Sequence, residues 1–119
     1  MTDPPPPPAL HVQLLPATPE HPQILRCTGE LDLATAAIFR AWLDQVQPGP
    51  LTVDLRDLHF MDSSGIGALL TARRRLTGFA FTVLVAERGA VARILEIGRL
   101  NEALSVTTDS ICAPRGHGN

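Results

Sequence analysis

Short apolar runs and helically spaced apolar residues take turns along this chain, and that alternation narrows the possible folds sharply. "LHVQLL" (10–15) and "QILRCTG" (23–29) read as two strands joined by the proline-rich turn "PATPEHP". From Ala34 to about Gln47 the spacing is helical, with Ala36, Phe39, Leu43 and Val46 on one face, Asp32 placed to cap the start and "PGP" to stop it. "LTVDL" (51–55) suits a central strand buried on both sides. A second helix carries Ile66, Leu69, Leu70 and Leu76 inward and ends at Gly78. "FAFTVLVA" (79–86) is a buried strand, residues 88–98 a third helix with Val91, Ile94 and Leu95 inward, and "LSVTTD" (104–109) a weaker last strand. The order β-β-α-β-α-β-α-β predicts a single α/β domain: a mixed, mostly parallel sheet covered by helices, with the opening hairpin as its antiparallel member.

The 119 residues suffice for one layered core, expected over residues 9–110. The net charge of −2 gives no electrostatic footprint for nucleic acid, and the scarcity of aromatics, with no tyrosine, leaves no base-stacking surface. All ten basic residues are arginine, so a lysine-dependent phosphate loop and Schiff-base chemistry are excluded. Cys27 and Cys112 form no C-x-x-C pair, and two free thiols in a reducing cytoplasm fit better than one disulfide. His11, His21, His59 and His117 are scattered without ligand spacing, which predicts no metal. "MTDPPPPPAL" lacks the pattern of a signal peptide, and no apolar run is long enough to span a bilayer, so a cytoplasmic protein without membrane insertion is expected. Its five prolines favour an extended, disordered tail over residues 1–8, and "APRGHGN" closes a second disordered tail (111–119).

Chemistry concentrates in "FMDSSGIGALL" (60–70), where a strand gives way to a helix. In a parallel sheet, functional groups gather at that edge. Asp62 and the serines suit capping, which is the preferred role for Ser64 taken alone. Gly65 and Gly67 each cost about 1 kcal/mol of helix stability relative to alanine, which a pure cap does not need. Missing side chains there open the helix start to another backbone or a phosphoryl group. For Gly67, close packing on the sheet is an equally good explanation; for Gly65 it is the weaker one. A hydrolytic serine needs a base and an acid, but only His59 is near and "MDSSG" is no G-x-S-x-G elbow. The dinucleotide fingerprint lacks its third glycine, since position 70 is Leu, so neither an enzyme nor a cofactor is expected. Ser63 as a phosphate acceptor remains: the phosphate would gain from the helix dipole and bring roughly −1.5 to −2 charge beside Asp62. If the "GELD" loop shares the edge, Glu30 and Asp32 add to that field.

"TGELDLATA" (28–36), "VDLRDLHFMDSSGIGALL" (53–70) and "VARILEIGRL" (91–100) together resemble a STAS domain, and are most similar to the bacterial anti-sigma factor antagonists (anti-anti-sigma factors). The resemblance spans roughly residues 10 to 109. It implies a partner switch in transcription regulation. The unmodified domain binds an anti-sigma factor, which is also a serine kinase of the histidine-kinase-like ATPase fold, and so frees a sigma factor. The kinase phosphorylates Ser63, which blocks binding, and a PP2C-type phosphatase reverses it. The nucleotide belongs to the partner. By the same resemblance Glu30, Asp32, Asp62, Ser63, Ser64, Gly65 and Gly67 form the partner surface. A non-switching structural STAS subunit, in a stress-signalling scaffold or a lipid-transport ATPase complex, is the alternative. Family members usually end in a fourth helix, whereas "DSICAPRGHGN" carries no helical stripe. "ARRRL" (72–76) reads as a solvated helix face, except that Arg73, in line with Ile66 and Leu70, borders the core or a partner.

Overall fold

The computed structural model describes residues 10–108. Both expected tails, the C-terminal stretch that carries no helical stripe, and Cys112 and His117 lie outside that range. Among the described residues the expected order is observed: β1 (Leu10–Leu15), β2 (Gln23–Leu31), α1 (Ala36–Leu43), β3 (Leu51–Met61), α2 (Ser63–Arg75), β4 (Phe81–Val85), α3 (Ala90–Ile97) and β5 (Val106–Thr108). The strands form one sheet in the order β1-β2-β3-β4-β5. β1 runs antiparallel to β2 and the other neighbours are parallel. In the hairpin turn the Thr18 hydroxyl accepts from the backbone N–H of Glu20 and His21, which satisfies donors that the prolines on either side do not pair.

Period-two alternation places Leu25 and Cys27 of β2, Val53 and Leu55 of β3, and Val83 and Val85 of β4 in one core with Phe39, Leu69 and Leu95 from the helices. Each large side chain so buried contributes about 1.5 to 3 kcal/mol relative to exposure. β3 is central and buried on both sides, as its sequence suggests, but its second face carries a charge pair. Asp54 Oδ1 accepts from the backbone N–H and Nε of Arg56 at 3.1 and 3.0 Å, and Oδ2 from Arg56 Nη2 at 2.9 Å. Arg26 of β2 adds a longer contact at 3.4 Å. Burial alone would push the Asp54 carboxyl up; the Arg56 hydrogen bonds and the two guanidinium charges outweigh it and hold the carboxyl below its usual range. Burial also pushes the nearby Cys27 thiol up to about 12, so it is an inert core residue rather than a nucleophile.

Several boundaries differ from the sequence expectations. β3 continues six residues past Leu55, to Met61, because β2 also runs on, to Leu31, and pairs with it from Thr28↔Asp57 to Leu31↔Met61. The mixed pattern of "RDLHFM" hides a strand whose backbone is satisfied by a neighbour remote in sequence. α1 ends at Leu43, after which Gln45 and Val46 donate to Trp42 and Leu43 in tighter turns that still bury Val46. Its N-cap is Thr35, not Asp32, because residues 32–35 form a turn of their own. α2 buries Gly65, Ala68, Leu69 and Ala72, and its C-cap Leu76 is buried too, while Ile66 and Leu70 are only half-buried. The small residues allow close approach to the sheet and to α1. The three consecutive arginines diverge: Arg73 lies over the Phe81 ring at 5.7 Å, Arg74 is exposed, and Arg75 donates to the carbonyls of Leu43 and Val46, closing the end of α1.

Candidate partner-binding edge

The register that lengthens β2 and β3 also builds the site. Leu31 and Met61 are the last paired residues, and the Asp62 N–H donates to the Leu31 carbonyl at 3.1 Å. The Asp32 turn and the Asp62–Ser64 junction therefore leave the sheet side by side at the same edge. Glu30 lies one step earlier, opposite Phe60. The sequence residues 30, 32 and 62–64 are brought together by this pairing.

Asp62 caps α2: its backbone is extended, at φ −114° and ψ −170°, and its Oδ1 accepts from the Ser64 N–H at 2.8 Å. The same residue's carbonyl accepts from Gly65 and Ile66. Ser64 is half-buried behind this cap. Ser63, the first helical residue, is exposed, and its hydroxyl has no hydrogen-bond partner among the described residues. No base is bonded to it, and the described residues contain no group of three His, Cys, Asp or Glu able to hold a metal ion.

Close packing, the weaker explanation for Gly65 in the sequence, is the one the structure gives it, and Gly67 is left open. A Cβ on Gly65 would lie 2.7 Å from two Leu31 side-chain atoms and 2.8 Å from Met61 Cγ, so Gly65 is a packing requirement. A Cβ on Gly67 would meet nothing within 4 Å, and Gly67 is exposed. Gly65 thus locks the start of α2 onto the last β2–β3 pair, which fixes where Ser63 stands.

Asp32 and Thr35 close their turn reciprocally. The Asp32 N–H donates to Thr35 Oγ1 at 3.0 Å, the Thr35 N–H donates to Asp32 Oδ1 at 3.1 Å, and Thr35 Oγ1 donates to the Glu30 carbonyl at 3.0 Å. The Asp32 carboxylate is thereby engaged inside the turn. At the turn's tip Leu33 is 79% exposed, and Phe60 beside Glu30 is 44% exposed. Sequence reading passed over both. For Leu33 the available signal was an apolar residue in a turn between strand and helix, outside the buried helical stripe; Phe60 lies in the β3 extension, which the sequence pattern hid.

No curated protein sequence matches the chain significantly. Among solved structures it is similar to an anti-sigma factor antagonist from Mycobacterium paratuberculosis, with a TM-score of 0.72 and 19% identity over 82% of this chain and 84% of that one. That likeness is one of fold. It is also similar to the anti-sigma factor antagonist SpoIIAA in its unphosphorylated form, with a TM-score of 0.54 and 26% identity over 76% of this chain and 83% of that one. The family model of the STAS domain matches residues 15–111, which cover all of the sheet from the end of β1 onward together with the Asp32 and Ser63 junctions, and the chain belongs to the STAS domain family.

Proposed function

We propose that this chain is an anti-sigma factor antagonist that works as a phosphorylation-controlled partner switch. Unphosphorylated, it binds an anti-sigma factor that is also a serine kinase of the histidine-kinase-like ATPase fold, and so releases a sigma factor in the cytoplasm. Phosphorylation of Ser63 by that kinase blocks binding, and a PP2C-type phosphatase restores it. The partner surface comprises Glu30, Asp32, Asp62, Ser63, Ser64 and the first turn of α2 with Gly65 and Gly67. The observation that carries this reading is the state of Ser63: an exposed hydroxyl, unbonded among the described residues, on the first turn of a helix, at the edge that also holds the Asp32 turn.

The chemistry required of this chain is small. Ser63 Oγ must reach the γ-phosphorus of the partner's ATP, bond to it as the link to the β-phosphate breaks and ADP leaves, and give up its proton to a base of the kinase. The product carries roughly −1.5 to −2 charge next to Asp62, whose carboxylate already occupies the Ser64 N–H. The fold has no reason to change, because Ser63 supports nothing in the core; the docking surface changes greatly.

Intact mass measurement after incubation with ATP and the candidate anti-sigma kinase tests the reading. Wild type should gain one phosphate and Ser63→Ala none. A stable complex without phosphate gain would replace the switch by a structural STAS subunit; neither complex nor phosphate with any such kinase of the host would defeat the reading.

A further inference from the structure

We propose that Leu33 is the apolar anchor through which this edge docks on its protein partner, and that the complementary partner surface is an apolar pocket ringed by basic side chains. This rests on the switch reading above and names the physics of its interface. Single exposed apolar side chains are common on protein surfaces, so exposure alone carries little. Leu33 differs in how it is held. Three hydrogen bonds among Glu30, Asp32 and Thr35 close the turn beneath it, so its side chain is displayed at low conformational cost. Its position differs too: Leu33 and Ser63 each stand two residues beyond the last β2–β3 pair, Leu31↔Met61, on the two chains that leave that edge together.

Charge specifies the occupant. Within residues 28–35 and 58–67 there are three carboxylates, Glu30, Asp32 and Asp62, and no arginine. A matching protein surface is basic at its rim. On charge alone, a phosphate on Ser63 would tighten such a complex, because it adds to the acidic field. Release on phosphorylation therefore requires a dry contact next to Ser63 that a dianion spoils. Leu33 supplies it: its pocket must exclude water to contribute, and a strongly hydrated dianion at the margin keeps water there, a cost that the rim charges offset only in part.

The test uses the anti-sigma kinase that transfers phosphate to Ser63, titrated against wild-type chain, Leu33→Ala and Ile97→Ala. Ile97 on α3 is a matched control at 75% exposure, away from the β2–β3 edge. Leu33→Ala should weaken binding about tenfold or more, with an unchanged melting temperature, and Ile97→Ala should not. A loss below about threefold for Leu33→Ala, or equal losses for the two variants, overturns the anchor while leaving the switch standing. Failure of the wild-type chain to bind or be phosphorylated by any such kinase overturns the switch reading, and the anchor with it.

Discussion

Gly65 and Gly67 are two residues apart in one helical turn, yet the same substitution should move stability in opposite directions. At Gly65 a methyl group meets Leu31 and Met61, which are themselves fully buried and have no room to withdraw. Gly65→Ala should cost about 1 to 3 kcal/mol, the usual penalty of overpacking. At Gly67 the space is open, so Gly67→Ala should gain about 0.5 to 1 kcal/mol from reduced backbone freedom in the unfolded chain. Thermal melts of the two variants give the answer directly; equal shifts would mean that α2 does not sit against the β2–β3 end as described. The sequence showed that both glycines cost helix stability. It did not show which was required, because the atoms that decide belong to Leu31, remote in sequence, and to Met61 across the strand–helix junction.

The turn between β2 and α1 shows how a short element converts side-chain chemistry into position. Asp32 spends its Oδ1 on the Thr35 N–H, so in the proposed docking its part is chiefly to shape the loop that carries Leu33. Asp32→Asn keeps an oxygen acceptor and should bind the kinase within about threefold of wild type, whereas Asp32→Ala opens the turn and should bind more weakly. The alanine variant should also lose about 0.5 to 2 kcal/mol of stability, as lost caps do. Equal binding losses for the two variants would mean that the partner reads the charge itself. "GELD" was conspicuous in sequence as an acidic loop, and Asp32 was expected there as the helix cap. The observed division of labour, Thr35 as N-cap and Asp32 as its brace, follows from β2 running on to Leu31 and α1 starting only at Ala36.

Across the molecule, the Asp54–Arg56 pair on the central strand ties stability to pH. Both side chains are 5% exposed, so neither charge is satisfied by water. The folded carboxyl of Asp54 is held below its ordinary value, which means that the unfolded chain binds a proton more readily than the folded one. The pair's stabilisation is therefore present above the unfolded pKa, about 3.9, and is lost as pH falls through the lower folded value. Urea unfolding at pH 7 and in acid should show this decline, and Asp54→Asn should flatten it. At pH 7 the same variant should lose about 3 to 5 kcal/mol, because the buried Arg56 guanidinium loses the carboxylate charge that holds it on the strand. An acid response unchanged in Asp54→Asn would assign the effect to other carboxylates.

The sequence alone determined the order of elements, the central place of β3, the strand-to-helix junction at Asp62 and the place of Ser63 at the start of α2. These follow from local rules: apolar periodicity, capping chemistry and the conformational cost of glycine. Periodicity failed where one element borrows from another. The β3 extension carries no clean alternation, because its hydrogen bonds are completed by β2 and its pattern is broken by register shifts between Arg26 and Thr28 and between Gly29 and Glu30. The fates of Gly65, Arg73 and Arg75, and the exposure of Leu33, were decided by tertiary packing. Whether a side chain is crowded, stacked, bonded or displayed depends on what lies across from it, and that neighbour is chosen only when the parallel strands have paired.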